Sequence, residues 1–187
     1  MTRIARVVVP GYPHHVTQRG SRRQPTFFCE EDYQLYMKLM AKWCHRNEVS
    51  IWAYCLMPNH VHLIVVPSTP DGLARSIGQA HRRYALELNE REGWSGHFWQ
   101  GRFASFVMDE SYLMAALRYV ELNPVRAKMV SQPEDYQWSS ARAHLENEDD
   151  ALVAVRPMLE LVSSWRDLLT TTDAEKENTI RKNSKTG

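Results

Sequence analysis

Met57-Pro58-Asn59-His60-Val61-His62-Leu63-Ile64-Val65-Val66 is the stretch on which the fold turns. From His60 onward it is short, apolar and β-branched, and Pro67 with a polar turn closes it, which predicts a buried strand. Side chains alternate faces along a strand, so His60 and His62 leave one face while Val61 and Leu63 leave the other. Two imidazoles side by side in an apolar strand are costly to bury without a partner. Two arrangements meet that cost: a hydrogen-bonded histidine pair near a sheet end, or two ligands of one metal ion.

Outward from this strand the pattern is regular. Val49 to Leu56 reads as a preceding strand, and Pro58-Asn59 joins the two as a hairpin. Before it, Tyr33, Tyr36, Met37, Met40, Trp43 and Cys44 fall at helical spacing and predict a helix over 32–47. Residues 14–19 form a first strand after the Gly11–Pro13 turn, and 20–25 a basic loop. Downstream, Leu73, Ile77, Ala80, Tyr84 and Leu88 mark the buried stripe of a helix that follows the 68–72 turn and ends near Asn89. An aromatic loop over 93–101 and a fourth strand over 102–108 complete the order strand, helix, strand, strand, helix, strand. That order predicts an α+β fold, the split βαβ arrangement of ferredoxin-like and RRM-like domains, with a four-stranded antiparallel sheet.

A third helix is expected from Ser111, as N-cap, to Leu122, where Pro124 limits it. Tyr119 and Asn123, four apart, project on neighbouring turns of one side. Asn123 before Pro124 also has the form of an N-cap with proline at the first helical position. C-terminal helices are expected over 135–144 and 157–169, in an extension spanning 131–170. The polar, charged segment 171–187 is expected to be a disordered tail.

The chain carries 23 Lys and Arg against 22 Asp and Glu, but unevenly. Residues 1–130 hold 16 basic and 11 acidic side chains, and Arg3, Arg6, Arg19, Arg22 and Arg23 precede any acid. Such a basic part suits an anionic partner, nucleic acid being the commonest. No apolar run approaches the ~20 residues of a membrane helix, and Val7-Val8-Val9 is too short for a signal peptide. Cys29, Cys44 and Cys55 are odd in number and lack metal-type spacing, which points to a reducing, cytoplasmic protein.

Five blocks in one order carry a family resemblance. They are Pro13-His14-His15-Val16-Thr17-Gln18-Arg19-Gly20, Met57-Pro58-Asn59-His60-Val61-His62, Trp99-Gln100-Gly101-Arg102-Phe103, Arg118-Tyr119-Val120-Glu121-Leu122-Asn123-Pro124-Val125-Arg126-Ala127 and Asp135-Tyr136-Gln137-Trp138-Ser139-Ser140. Together they resemble the HUH single-strand DNA nucleases, and within them the single-tyrosine, REP-associated tyrosine transposases of bacteria.

The resemblance implies a catalytic domain over 1–130 that cleaves and rejoins single-stranded DNA at or beside REP-type hairpins. Tyr119 falls at the place of the nucleophile that forms a 5′-phosphotyrosine link and frees a 3′-OH. His60, His62 and Asn123 match the metal ligands, with Mg²⁺ or Mn²⁺ as the implied ion. His14-His15-Val16-Thr17 resembles the family's Tyr-His-Val-Thr pattern, with His14 in the aromatic's place, and His15 is read as structural or DNA-proximal rather than as a ligand. Arg19, Arg22, Arg23, Arg82, Arg83, Arg102 and Arg126 are candidate phosphate contacts, and Phe98 and Trp99 candidate platforms for unpaired bases. REP-associated relatives suggest a monomer, insertion-sequence relatives a dimer that exchanges tyrosines; a monomer is the expectation here. Two other classes stay open: a non-catalytic nucleic-acid-binding module on the same sheet, and a metal-dependent phosphodiesterase in which water attacks.

Overall fold

The computed structural model describes residues 6–171, 176 and 178–180. Its elements are β1 (His14–Arg19), α1 (Glu30–Arg46), β2 (Val49–Met57), β3 (His60–Pro67), α2 (Gly72–Arg75), α3 (Ile77–Glu92) and β4 (Ala104–Val107), then α4 (Glu110–Glu121), α5 (Asn123–Arg126), α6 (Ala141–Glu146), α7 (Arg156–Leu159) and α8 (Trp165–Thr170). The four strands form one sheet in the order β2-β3-β1-β4, with every neighbouring pair antiparallel. This is the expected split βαβ topology. Among the described residues no helix is long and apolar enough to cross a membrane.

Both faces of the sheet are covered, which explains why β3 reads as a near-continuous apolar run. On one face Val16, Val61, Leu63 and Val65 pack with Tyr36, Met40, Ile77, Tyr84 and Leu88 from α1 and α3. On the other, Ala53, Cys55 and Ile64 pack with Leu113, Ala116, Leu117 and Val120 of α4. Period-two alternation puts His60 and His62 on the Ile64 side, under α4. The sheet thus delivers both histidines to the helix that carries Tyr119.

Several boundaries differ from expectation for identifiable reasons. The expected helix from the 68–72 turn to Asn89 is two helices, because Ser76 (φ −91°, ψ −78°) turns its hydroxyl onto the Gly72 carbonyl at 2.7 Å and separates α2 from α3. Asp109, not Ser111, caps α4: its carboxylate accepts from the Tyr112 N–H at 2.9 Å. The helix expected over 135–144 is a short turn at Pro133–Asp135, an irregular turn segment over 136–140 and then α6. That segment touches the open edge of β2 through an isolated bridge between Cys55 and Ser139, with Leu56 N–H donating to Trp138 O at 2.8 Å and Ser140 N–H to Tyr54 O at 3.0 Å. The helix expected over 157–169 divides into α7 and α8, the latter begun by Ser164, whose hydroxyl accepts from the Asp167 N–H. Of the tail expected to be disordered, most lies outside the described residues; Lys176 and residues 178–180 are helical, and Ile180 is buried.

Helix α4 is fastened at its C-terminal end by a buried carboxylate. Glu121 is inaccessible to solvent and accepts from Ser140 Oγ, His144 Nδ1 and Trp165 Nε1, each at 2.7 Å. Its three donors all come from the segment beyond residue 131. A buried carboxylate with several donors stays put, so this segment holds the helix that presents Tyr119.

A second buried carboxylate sets a pH dependence. Asp32, with a solvent-excluded side chain, accepts from the Phe28 N–H at 2.8 Å and from the Arg91 guanidinium. Burial alone would raise its pKa, but Arg91 and the Phe28 N–H outweigh burial and hold it below the usual carboxylate value. Because the folded value is depressed, this stabilisation is complete above the unfolded pKa of about 3.9 and is lost as pH falls through the lower folded value. Asp32→Ala is expected to cost about 1–3 kcal/mol at neutral pH and to flatten the stability loss below that unfolded value, measured by urea unfolding across pH.

Candidate active site

The β1–β3 register pairs Thr17 with His62 and Arg19 with His60, so His15, Thr17, Arg19, His60 and His62 share the face beneath α4. The two HUH rings have centroids 5.0 Å apart. Tyr119 descends from α4 with its ring edge-on to His62 at 5.5 Å and to His15 at 6.3 Å. Tyr119 is buried, 9 % exposed as a residue. Arg126 lies over it, guanidinium carbon 4.3 Å from the ring centroid, and also donates to the Tyr119 carbonyl.

Each histidine has one nitrogen committed. His60 Nδ1 lies 2.6 Å from Asn59 Oδ1, and Asn59 Nδ2 in turn donates to Arg23 O at 3.2 Å. An amide oxygen only accepts, so the proton sits on His60 Nδ1 and the lone pair on Nε2. His62 Nδ1 lies 3.0 Å from His15 Nε2, and the two rings are stacked. Among the described residues the remaining His62 nitrogen, Nε2, is buried with no hydrogen-bond partner, as is the Thr17 hydroxyl across the register.

Burial keeps these rings neutral. It lowers His15 to about 4 and His60 to about 3, the Arg19 charge adding to the effect at His60. His62 is pushed well below the ordinary value, first by burial and then by His60, His15, Arg19 and Arg126. Neutral imidazole is the metal-binding form.

At the end of α4, Pro124 has no N–H to continue the ladder, and Asn123 begins α5. Its side chain does not cap that helix: the N-cap is Leu122, without a side-chain bond, which corrects the capping alternative for Asn123. Asn123 Nδ2 is instead buried and, among the described residues, unpartnered. The two ends of an amide exchange by rotation about Cβ–Cγ, so this end offers an oxygen in the turned rotamer. Among the described residues no three His, Cys, Asp or Glu side chains converge as a metal cluster. The donor set His60, His62 and an amide, with His62 Nε2 and the Asn123 amide both orphaned among the described residues, is chemically suited to a divalent metal.

The other predicted residues scatter. Arg19 is half-buried and close enough for its charge to act on His60 and His62. Arg22 and Arg23 are exposed on the turn after β1, linked to the centre through Asn59. Arg102 is exposed on the 99–103 loop. Arg82 and Arg83 are exposed on α3, in the layer on the opposite side of the sheet from Tyr119. Phe98 and Trp99 are not base platforms: they are 3 % and 9 % exposed, packed with Tyr84, and Trp99 Nε1 donates to His81 O at 2.9 Å. Sequence reasoning missed Asn59 as the partner of His60, although adjacency was a signal. It also missed Thr17, and it gave His15 no specific partner.

Residues 9–123 match the family model described as "Transposase IS200 like". Among solved structures, one of a REP-associated tyrosine transposase bound to a REP hairpin is similar at a TM-score of 0.61 and 20 % identity, covering 82 % of this chain and 92 % of that one. At that identity the likeness speaks for the fold. A proposed transposase from Deinococcus radiodurans R1 is similar at 18 % identity and a TM-score of 0.43, covering 82 % of this chain and 100 % of that one. No curated protein matches the chain.

Proposed function

Because the chain belongs to the IS200-like transposase family, a family of DNA-cleaving transposases, we propose that it is a metal-dependent transesterase on single-stranded DNA, acting at or beside REP-type hairpins through Tyr119. The observation that carries this reading is the juxtaposition of Tyr119 with His62, whose buried Nε2 has no hydrogen-bond partner among the described residues. The hairpin enters from the structural relative, which is bound to one.

In the proposed step Tyr119 Oη bonds the phosphorus as the P–O3′ bond breaks. The phosphate stays on the tyrosine and on the 5′ side of the downstream strand; the phenol gives up its proton as it attacks and the departing 3′ oxygen gains one to become a 3′-OH, so no net proton is taken up. The bond energy is conserved in the phosphotyrosine, so the reverse attack by a 3′-OH rejoins DNA without ATP. Arg126 and Arg19 flank the phenol and supply positive charge where phosphate oxygens would sit.

His60 Nε2, His62 Nε2 and the Asn123 amide oxygen would hold the ion. When bound, Mg²⁺ or Mn²⁺ polarises the phosphoryl group; imidazole ligands suit Mn²⁺ better, and abundance favours Mg²⁺. Tyr119 and His62 of one chain already face each other, so a monomer suffices and no exchange of tyrosines is needed. Arg19, Arg22, Arg23 and Arg126 are the proposed phosphate contacts nearest the centre. Contacts from Arg82, Arg83 and Arg102 would require DNA that wraps beyond it.

Incubation with hairpin DNA carrying unpaired flanks and Mn²⁺ should give a protein–DNA adduct that survives denaturing electrophoresis and disappears in EDTA. Cleavage with no adduct would instead favour attack by water. Asn59→Ala is expected to weaken Mn²⁺ binding about 10–100-fold by freeing the His60 ring, with an unchanged melting curve. Titration followed by Mn²⁺ electron paramagnetic resonance reads that loss directly.

A further inference from the structure

With Phe98 and Trp99 in the core, the surface has other aromatic side chains to account for. Phe28 and Trp94 are 44 % and 43 % exposed and meet edge to face at 5.5 Å. Trp94 stands at the wall of a cleft of about 420 Å³ that Ser21, Arg22, Asn89 and His97 also line, with no carboxylate in the lining. Large exposed aromatics beside a cation and neutral hydrogen-bonding groups form a surface suited to nucleobases and phosphates.

The cleft is built rather than incidental. Gly93, in the left-handed conformation, ends α3, and Trp94 N–H donates to Asn89 O at 2.8 Å. Asn89 Nδ2 spans the loop to Gly96 O at 3.2 Å. The opposite wall has Arg22 at φ 54° and Arg23 at φ 62°, two consecutive non-glycine residues in the left-handed region. Such strain persists only where surroundings impose it. Gly20 lets the turn close this tightly: a Cβ there would lie 2.4 Å from Gln24 O.

The same turn joins the cleft to the proposed catalytic centre. Ser21 N–H donates to Phe98 O at 2.9 Å, Gln100 N–H to Arg19 O at 2.8 Å and Gly20 N–H to Asn59 O at 3.0 Å. Asn59 then holds both Arg23 O and His60 Nδ1. A path of Trp94, Arg22, Arg23, Asn59 and His60 therefore runs along one rigid rim.

We propose that Phe28 and Trp94 form the stacking platform for unpaired bases of the DNA strand that passes through the active site, with Arg22 on its backbone. Unpaired DNA is the occupant because a duplex already stacks its bases on one another and offers no free faces to an aromatic platform. This inference rests on the single-strand transesterase reading and adds to it where the strand lies.

The test measures fluorescence polarisation in EDTA with a labelled DNA hairpin bearing oligo-dT tails and with the same hairpin lacking them. Wild type is compared with Trp94→Ala, Phe28→Ala and Trp94→Phe, each checked for an unchanged melting curve. Either alanine variant should bind the tailed hairpin about tenfold more weakly, a typical loss for a stacked base, and bind the blunt hairpin unchanged. Trp94→Phe should restore most of the tailed affinity. Tailed binding unchanged in both alanine variants would overturn the platform while leaving the transesterase intact. Equal losses on both hairpins would overturn it in favour of a duplex contact. A wild-type protein that binds neither hairpin would overturn both readings together.

Discussion

Tyr119→Phe is expected to abolish covalent adduct formation and to lower strand cleavage by about 10⁴-fold or more, the scale on which an enzyme loses its nucleophile. The substitution is nearly isosteric. Phenylalanine keeps the edge-on contacts with His62 and His15 and the ring under Arg126. Only Oη is removed, so folding and affinity for hairpin DNA should be unchanged. Rates from adduct gels beside binding by polarisation separate the two effects. A variant that still cleaves at a comparable rate would mean that another oxygen attacks phosphorus and that Tyr119 is only a packed ring.

His60→Ala is expected to produce the next largest loss, in metal binding and in cleavage alike. His60 is half-buried at the start of β3, so the sheet should tolerate its truncation, whereas His62 is buried to 1 % and also partners His15. Loss of a direct ligand should exceed the 10–100-fold typical of an outer partner, giving a Mn²⁺ site weakened by about 100-fold or more. Because both imidazoles are held neutral by burial, the wild-type site should keep its Mn²⁺ affinity from neutral pH down towards the low folded values of His60 and His62, well below the ordinary imidazole range. If affinity instead fell through pH 6.5, the ordinary imidazole pKa, the ligands would be ordinary exposed histidines, and the buried centre would be wrong.

The sheet was legible because its signals are local. A short β-branched run, a tight Pro58-Asn59 connection and alternating histidines suffice to define β2, β3 and the shared face. The order of strands and helices then leaves few topologies, and the split βαβ arrangement was the natural one. What failed was non-local. Whether Phe98 and Trp99 face water depends on Tyr84 and the His81 carbonyl, which lie on α3. The run after Tyr136 has helix-like composition, but its backbone is spent on the unpaired edge of β2, where it turns and bridges instead of coiling. The tie from Glu121 to Ser140, His144 and Trp165 joins residues up to 44 positions apart and leaves no periodic trace.

The same division runs through the site. His60, His62, Tyr119 and Asn123 were singled out by spacing and by family resemblance, and the structure brings Tyr119 against His62 while leaving the Asn123 amide unpartnered. Their orientation was not legible. It depends on Asn59 holding one ring and on His15, from a different strand, holding the other. Register sets that second contact: β1 and β3 must pair with Thr17 opposite His62 for His15 to reach its neighbour's ring.

The central claim is that Tyr119 becomes covalently attached to DNA. It is tested most directly by isolating the protein–DNA adduct, digesting both components and locating the phosphodiester by peptide mass spectrometry. The expected product is a nucleotide joined through its 5′ phosphate to the peptide containing Tyr119, with a 3′-OH on the released strand. A modified peptide elsewhere, or a 3′-phosphate on the released strand, would contradict it.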